Sequence, residues 1–299
     1  YVDSVQVFNS TTDKVLPDEN RMINGFTDYE ELTRTRRLIM RSYKLPGNRL
    51  RLLHPNENRG AVTIDEERDY HFRYVLEDNF GNRRTYQFIV KGKRQDIPEY
   101  KPEANEMLYW NRTNVIQKPG MELVVPRYYV YEDVPLRTDM RGDSSHIAFD
   151  YILDAGRTPI HSYCDLSIGL RHMPVADTTK YYIVQKAGKW RSSMGGKYAN
   201  GWIKTRVRSL GTFSVDVDTI APQITPIGQG GWRTSRNIRF RIKDMESGIG
   251  SYKVYIDGKF VLFGLKKGIL VIQNPEKVKK GVSHKLEVTV TDQCGNMTR

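Results

Sequence analysis

Cysteine is scarce in this chain, since only Cys164 and Cys294 occur among its 299 residues. The two thiols lie 130 positions apart in the sequence (294 minus 164). We interpret them as unpaired thiols in separate modules, in preference to a disulfide or a pair of metal ligands. Two cysteines assign no cellular compartment.

Long hydrophobic runs are absent as well. No apolar stretch approaches the ~18 residues that would cross a bilayer. The first residues, "YVDSVQVFNS", lack the basic start and the apolar stretch of a signal peptide. The sequence therefore predicts no transmembrane segment in this chain.

Nucleic-acid-binding motifs are also missing, although the chain is basic. Its net charge is +12 (47 Lys and Arg against 35 Asp and Glu), and residues 219–299 contribute +8 (14 minus 6). DNA, an acidic glycan or a membrane surface would fit this charge, and so would an ordinary solvated surface. No helix-turn-helix, zinc-finger or aromatic RNP pattern occurs. We therefore predict no nucleic-acid partner, and the sequence leaves the oligomeric state open.

The chain is rich in aromatic residues, which make up 11% of it and include 18 Tyr. Alternation of apolar and polar residues in "HFRYVLED", "NIRFRIKD" and "KLEVTVTD" is typical of β-strands. Two of these runs end in the same D-x-x-G-N turn, at residues 78–82 and 292–296. We expect Gly81 and Gly295 to adopt left-handed backbone conformations in equivalent hairpin turns.

The repeat extends upstream of the turn, because Tyr1-Val2-Asp3 matches Tyr255-Ile256-Asp257. The second copy forms a predicted hairpin, "YKVYIDGKFVLF", with an Asp-Gly turn. Asp3 precedes Asp78 by 75 residues, whereas Asp257 precedes Asp292 by 35. Part of the extra length in the first copy is predicted to be a helix. It has a capping box at Thr27 and Glu30, followed by good helix formers up to Pro46-Gly47.

These patterns predict an all-β fold of three consecutive β-sandwich (Ig-like) modules, with a short helix inserted in the first. The predicted boundaries are 1–95, 96–218 for a central β-rich module, and 219–299. The proline-containing segments "QDIPEYKP" and "DTIAPQITP" are the expected linkers. The first copy lacks the strands that precede Tyr255 in the last copy, so we expect its opening strands upstream of Tyr1.

In their order along the chain, several segments resemble known proteins. The segments "DTIAPQITP", "SGIGSYKVYIDGKFVLF", "LKKG" and "HKLEVTVTDQCGNMT" resemble the C-terminal region of secreted lysostaphin-type (LytM-like) zinc metallopeptidases of Bacteroides and its relatives. The segments "FTDYEELTRTRRLIMRSYKLPGNRLRLL" and "YHFRYVLEDNFGNRRTYQFIV" resemble the β module after the catalytic domain. The stretch "GGKYANGWIKTRVRSLGTFSVDVDTIAP" resembles the part between the two.

The resemblance implies an extracytoplasmic location, in the periplasm or at the cell surface, and a zinc-dependent parent enzyme acting on peptidoglycan. That family binds zinc through His-x-Gly-x-Asp and a later His-x-His. Here His161 stands four residues before Asp165, but Tyr163 occupies the glycine position and no His-x-His exists. We therefore expect no catalytic, cofactor-binding or metal residues in this chain, with zinc only in an upstream catalytic domain.

Two weaker candidate sites complete the sequence prediction. Asp244, Glu246 and Asp257 could approach a calcium ion at the end of a module, although turn carboxylates are common without metal. Aromatic rings that could stack on sugars belong to Trp110, Trp190, Trp202 and Trp232, although tryptophans in sandwich cores are commoner.

The sequence leaves two functions open. The first is a non-catalytic accessory region that positions or anchors the peptidase on cell-wall peptidoglycan or another envelope glycan. The second is a glycan-binding or adhesin-like surface protein built from the same modules. A hydrolase within these residues has no motif in its support.

Overall fold

The fold consists mostly of β-strands. The structure is a computed structural model, and it describes residues 1–12, 14–99, 103–154, 156–232, 235, 237–273 and 281–299. Strands account for 45% of it and helices for 7%, arranged in several separate sheets, so the all-β prediction is confirmed. Residues 100–102 of the expected linker "QDIPEYKP" lie outside the described residues.

The N-terminal region contains short elements and one long hairpin. A 3-10 helix spans Asn20–Gly25. The other elements are β1 (Phe8–Ser10), α1 (Tyr29–Thr35), β2 (Leu53–Pro55), β3 (Asp69–Glu77) and β4 (Arg83–Lys91). β1 pairs with β2, and β3 pairs with β4, in two separate antiparallel sheets. Within the described residues, this region therefore shows only part of a sandwich.

The inserted helix exists, but the sequence misplaced its ends. Asp28, not Thr27, caps it, because the Asp28 Oδ1 atom accepts a hydrogen bond from the Glu31 amide at 3.0 Å. Thr27 is buried, and its hydroxyl donates to the Asn24 carbonyl. The helix ends at Thr35 because Arg36 adopts a left-handed conformation with φ of 67°.

A small core joins the N-terminal region to the central module. Tyr131 is buried among apolar residues that flank the 3-10 helix and β2: Met22, Phe26, Leu45, Leu50, Leu52 and Leu53. Its hydroxyl donates to the Arg21 carbonyl at 2.8 Å, and its carbonyl accepts the Gly47 amide at 2.7 Å. These N-terminal side chains thus share a core with Tyr131 of the central module.

The central module is a two-sheet sandwich. Its strands are β5 (Glu106–Leu108), β6 (Asn114–Lys118), β7 (Met121–Val125), β8 (Val134–Arg141), β9 (Asp150–Asp154), β10 (Cys164–Gly169), β11 (Tyr181–Ala187), β12 (Trp190–Ser193), β13 (Lys197–Ala199), β14 (Trp202–Val207) and β15 (Gly211–Val217). A 3-10 turn spans Thr178–Lys180.

One sheet of this module has the strand order β13-β14-β10-β7-β6, and the other has the order β12-β11-β15-β9-β8-β5. Fully buried side chains from both sheets form one core, among them Leu123, Leu166 and Ile203 from the first and Leu136, Leu153 and Phe213 from the second. Burial of alternate residues on facing sheets is what stabilises a sandwich.

The C-terminal module is a second, smaller sandwich. Its strands are β16 (Gln223–Ile227), β17 (Asn237–Lys243), β18 (Ile249–Ile256), β19 (Lys259–Phe260), β20 (Phe263–Lys266), β21 (Ile269–Gln273), β22 (Leu286–Asp292) and β23 (Met297–Thr298). A 3-10 turn spans Gln229–Gly231. The two sheets have the orders β16-β17-β21-β20 and β19-β18-β22-β23.

Alternate residues of this module point into its core, as the periodicity predicts. Phe240 and Ile242 from β17 pack with Val254 from β18 and with Val288 and Val290 from β22. The predicted "YKVYIDGKFVLF" hairpin is present, although its second strand, β19, contains only two residues. Among the helices of the described residues, none has the length and apolar character needed to span a bilayer.

Candidate functional site

The two D-x-x-G-N turns have the same hydrogen bonds. In the first, the Asp78 carboxylate accepts from the Phe80 and Asn82 amides at 2.9 Å each and from the Asn82 side chain at 2.8 Å. In the second, the Asp292 carboxylate accepts from the Cys294 and Asn296 amides at 2.8 Å each and from the Asn296 side chain at 2.7 Å.

The glycines of these turns confirm the predicted conformation. Gly81 and Gly295 both have φ of 80°, where a side chain with a Cβ atom is strained. The repeated segments upstream of the turns also have matching hydrogen bonds. The Asp3 carboxylate accepts the His71 amide at 2.9 Å, and the Asp257 carboxylate accepts the Lys285 amide at 2.8 Å.

The second turn lies at the junction between the central and C-terminal modules, where three carboxylates converge. Asp218 follows β15, Asp244 follows β17, and Asp292 ends β22. One carboxylate oxygen of each lies within 4.8 Å of one belonging to each of the others. Asp218 is fully buried, and Asp292 is 4% exposed. We call these three residues the carboxylate junction.

Asp218 connects the two modules. Its Oδ2 atom accepts the Ser247 amide at 3.0 Å and the Ser247 hydroxyl at 2.5 Å. Its Oδ1 atom accepts the Ile220 amide at 2.9 Å. The Asn296 side chain donates to the Asp218 carbonyl at 3.0 Å as well as to Asp292. The repeated turn is thereby attached to the first residue of the linker.

Apolar and polar contacts surround the carboxylate junction. Cys294 is buried together with Tyr182 and Val184 of β11. The Lys180 ammonium group donates to the Cys294 carbonyl at 3.1 Å. On the other side, the Thr298 hydroxyl donates to the Pro222 carbonyl at 2.5 Å. The contacts of Cys294 hold the C-terminal sandwich against β11 and Lys180 of the central module, and the Thr298 bond ties β23 to the linker.

The surroundings of Asp244 in the carboxylate junction disfavour its ionised form. Burial raises the pKa of Asp244, the Asp218 and Asp292 carboxylates raise it further, and the Gly248 and Glu246 amides oppose this rise. The three carboxylates are the described residues that could offer oxygen ligands to a hard cation such as Ca²⁺. Each carboxylate also accepts a backbone hydrogen bond: Asp218 from Ser247, Asp244 from Gly248 and Asp292 from Cys294.

The calcium candidates named from the sequence are only partly brought together. Asp244 belongs to the carboxylate junction, but Glu246 and Asp257 are not members of that group. Asp257 instead bonds to the His284 ring at 2.6 Å and to the Lys285 amide. Sequence reasoning missed Asp218 and Asp292 as possible ligands, although both begin turns whose carboxylate accepts amides two residues further on.

His161 and Asp165 have separate environments. The His161 Nδ1 atom lies 3.1 Å from the Tyr131 hydroxyl, and its ring packs edge-on against Tyr129 and Tyr131. Burial, followed by the charges of Arg49 and Arg21, lowers the pKa of His161. Asp165 is exposed on β10, opposite Arg206 of β14. Neither residue belongs to the carboxylate junction.

Both cysteines are buried free thiols in separate places, as predicted. Cys164 lies in the core of the central module, and burial raises the pKa of its thiol to about 12. Cys294 lies at the carboxylate junction, where burial raises the pKa of its thiol to about 11. Thiols with raised pKa values are poor nucleophiles at neutral pH.

The four tryptophans differ in their availability for stacking. Trp190 begins β12 and is 80% exposed. Trp110 is half-buried beside the Tyr128 ring at 6.0 Å, and Trp202 is half-buried on β14. Trp232 packs against Phe240 in the C-terminal core and donates its indole N–H to the Ile227 carbonyl at 2.9 Å. Of the four, Trp190 has by far the most accessible ring.

Comparison with known proteins identifies one region. Residues 105–218 match the Zu5-like domain family. This match covers 114 residues (218 minus 105, plus 1), which is less than half of the chain, and it ends at Asp218 of the carboxylate junction. No curated protein matches the chain.

Proposed function

We propose that these 299 residues are the non-catalytic C-terminal accessory region of an extracytoplasmic lysostaphin-type zinc metallo-endopeptidase that acts on peptidoglycan. In this proposal the β modules position or anchor the enzyme on the cell wall, in the periplasm or at the cell surface. The zinc ion and the hydrolytic chemistry belong to a catalytic domain outside these residues.

The observation that carries the positioning role is the carboxylate junction. A connection made by proline-containing linker residues alone would leave two modules free to rotate. Here the linker begins with the buried Asp218, which accepts hydrogen bonds from Ser247 of the other module. Buried hydrogen-bonded networks rigidify the segments they join. A fixed angle between modules is what a positioning region requires.

Charge and sequence support the partner in this proposal. The net charge of +12 suits an anionic polymer such as a cell wall with free carboxylates. The ordered resemblance to the peptidase C-terminal region, from "FTDYEEL" to "DQCGNMT", supports the parent enzyme. The Zu5-like match to residues 105–218 lies inside the central module of this arrangement.

A glycan-binding or adhesin-like role is the second candidate, and the exposed ring of Trp190 favours it. Aromatic rings that stand free of the core can stack on sugar rings. In this case binding depends on one exposed side chain and is independent of the angle between modules. The two functions therefore differ in which substitution abolishes binding.

Co-sedimentation of the purified chain with insoluble peptidoglycan tests the two candidates. The accessory role predicts that the chain pellets with the cell wall, that added salt weakens binding, and that Trp190→Ala leaves it nearly unchanged. Loss of binding in Trp190→Ala, with Trp232→Phe as a folded control, would favour the glycan-binding role.

The parent enzyme is tested separately by reading the gene upstream of the codon for Tyr1. The proposal requires both His-x-Gly-x-Asp and His-x-His there. The absence of both motifs would overturn the assignment to a zinc endopeptidase, whatever the chain binds.

A further inference from the structure

Two arginine side chains lie against the ring of Tyr128. The guanidinium carbon of Arg49 is 4.7 Å from the centre of that ring, and the guanidinium carbon of Arg127 is 4.4 Å from it. Arg49 belongs to the N-terminal region, whereas Arg127 follows β7 of the central module, 78 positions later (127 minus 49). The fold therefore brings two distant cations to one ring. We call Arg49, Arg127 and Tyr128 the double-arginine cluster.

The two positive charges of this cluster are close together and have no acidic partner. Because both distances are measured from the same ring centre, the two guanidinium carbons are at most 9.1 Å apart (4.7 plus 4.4). Within the residues that the structure describes, neither guanidinium group forms an ion pair or a hydrogen bond. Like charges at this distance repel each other, and an anion bound to both would turn that repulsion into attraction.

Another arginine that lies over a tyrosine ring has its charge neutralised within the protein. The guanidinium carbon of Arg68 is 3.8 Å from the centre of the Tyr70 ring. The same guanidinium group pairs with the Asp3 and Glu66 carboxylates at 2.7 and 2.8 Å. The arginines of the double-arginine cluster differ, because their N–H groups remain available to a partner from solution.

The backbone of Tyr128 has an unfavourable conformation. Its φ is 68°, in the left-handed region that bulky residues rarely adopt. Its amide donates a hydrogen bond to the Trp110 carbonyl at 2.9 Å, and the Trp110 ring lies 6.0 Å from the Tyr128 ring. Strained residues concentrate at active sites and ligand-binding sites, where the surrounding structure holds them in place. Here the strained residue carries the ring that both arginines contact.

The pKa of His161 reflects the positive charge of this region. Burial lowers this pKa most, and the charges of Arg49 and Arg21 lower it further. The Asp18 carboxylate acts in the opposite direction and is the smallest of the four causes. The charge of Asp18 is therefore too weak at this position to cancel that of the arginines.

The chemistry of the double-arginine cluster suits an oxyanion. A guanidinium group is planar, and its N–H donors match the paired oxygens of a carboxylate or phosphate group. Contact with the half-buried Tyr128 ring restrains both guanidinium groups, while both arginine side chains are otherwise exposed. Donors that are restrained before the ligand arrives lose less conformational entropy on binding.

We propose that the double-arginine cluster is a binding site for an oxyanion, a carboxylate or phosphate group that bridges Arg49 and Arg127. The bound anion connects the N-terminal region to the central module. The cluster shares no residue with the carboxylate junction and does not include Trp190, so this inference does not depend on the proposed function.

Titration of the full chain with sodium phosphate and, separately, with sodium acetate tests this site. Sodium chloride keeps the ionic strength constant, and a titration with chloride alone is the reference. The protein carries isotopically labelled arginine, so that the Nε–Hε NMR signals of its side chains can be followed. The signals of Arg49 and Arg127 are assigned by their loss in Arg49→Gln and in Arg127→Gln.

Arg208→Gln is the matched control. Arg206 and Arg208 also lie near one ring, that of Tyr163, with guanidinium carbons 5.5 and 4.6 Å from its centre. Asp165 stands opposite Arg206 in the register of β10 and β14, and Tyr163 has an ordinary negative φ. This second pair therefore has the same positive charge but a carboxylate beside it and no strained tyrosine.

We expect saturable shifts of the Arg49 and Arg127 signals with at least one of the two anions. The affinity should fall by at least about tenfold in Arg49→Gln and in Arg127→Gln, and it should stay unchanged in Arg208→Gln. Saturation by phosphate would identify a phosphate ligand, and saturation by acetate a carboxylate ligand. Shifts that chloride alone reproduces would overturn the proposal, and so would an affinity that either Arg49→Gln or Arg127→Gln leaves unchanged.

Discussion

Substitution of Asp218 by alanine should weaken the connection between the central and C-terminal modules. The carboxylate is fully buried and accepts the Ser247 amide, the Ser247 hydroxyl and the Ile220 amide. Alanine offers none of these acceptors, so the two Ser247 donors are left in a site that water reaches poorly. Ser247 is itself fully buried, which leaves it little access to solvent.

The magnitude follows from the donors that lose their partner. A buried donor without an acceptor costs about 1–3 kcal/mol. The Ser247 hydroxyl can rotate to another acceptor, and Ile220 is 65% exposed, so the Ser247 amide is the buried donor that loses its partner, at a loss of about 1–3 kcal/mol. Relief of repulsion between Asp218 and the other two carboxylates opposes this loss, so we expect about 2 kcal/mol in the free energy of unfolding of the C-terminal module.

Differential scanning calorimetry and amide exchange measure this effect. The C-terminal module has 81 residues (219 to 299), and for a domain of this size about 2 kcal/mol lowers Tm by about 8–16 °C. Exchange should accelerate at Ser247 and Ile220. Asp165→Ala is the control, because this aspartate is exposed on β10 of the central module, and its substitution should change stability by less than about 0.5 kcal/mol.

Two results would refute this reasoning. Unchanged exchange at Ser247 in Asp218→Ala would mean that its hydrogen bonds do not hold the modules together. A raised Tm would mean that repulsion among the three carboxylates outweighs the bonds that Asp218 accepts.

The remaining predictions concern the turns, the junction charge and zinc. Gly295→Val should destabilise the C-terminal module by about 1–3 kcal/mol in chemical denaturation, since φ is 80° and a Cβ atom there meets no neighbour within 4 Å; an unchanged midpoint would contradict this. Because the folded-state pKa of Asp244 is raised, its contribution to stability is present at low pH and is lost as pH rises through that pKa. Asp244→Asn should therefore keep or slightly raise Tm at pH 7 in EDTA, and a lower Tm there would show that the charge is needed. Metal analysis after mild dialysis should find zinc well below one per molecule, because a catalytic site needs about three converging ligands; stoichiometric zinc that His161→Ala removes would contradict this.

Local patterns predicted the local structure well. Alternation in "NIRFRIKD" and "KLEVTVTD" placed Phe240 and Val290 in a sandwich core, where both are buried. The D-x-x-G-N pattern predicted left-handed glycines because the turn is formed by bonds within five residues. The helix was predicted but not its ends, since Thr27 forms a backbone bridge with Met40 and is not free to cap.

Contacts between distant segments could not be predicted in the same way. The carboxylate junction combines Asp218, Asp244 and Asp292, which are at least 26 residues apart in sequence. No spacing rule connects them, because their proximity depends on how two sandwiches meet. The burial of Tyr131 among N-terminal residues is a similar case, since it depends on a segment more than 75 residues upstream. Periodicity reports which side of a strand is apolar but not which surface covers it.

The two D-x-x-G-N turns have the same internal hydrogen bonds, but the second one also bonds to Asp218 of the linker. Both form the same internal bonds, so the turn does not need a neighbour to fold. Asn82 uses its side chain within its own turn, whereas Asn296 also donates to the Asp218 carbonyl. The D-x-x-G-N turn therefore forms through its own hydrogen bonds. It connects two modules only where its asparagine also reaches a buried aspartate at the end of the preceding module. It follows that Asp218→Ala should loosen the contact between the modules while the bonds that Asp292 accepts from the Cys294 and Asn296 amides remain, because those bonds are made within the turn.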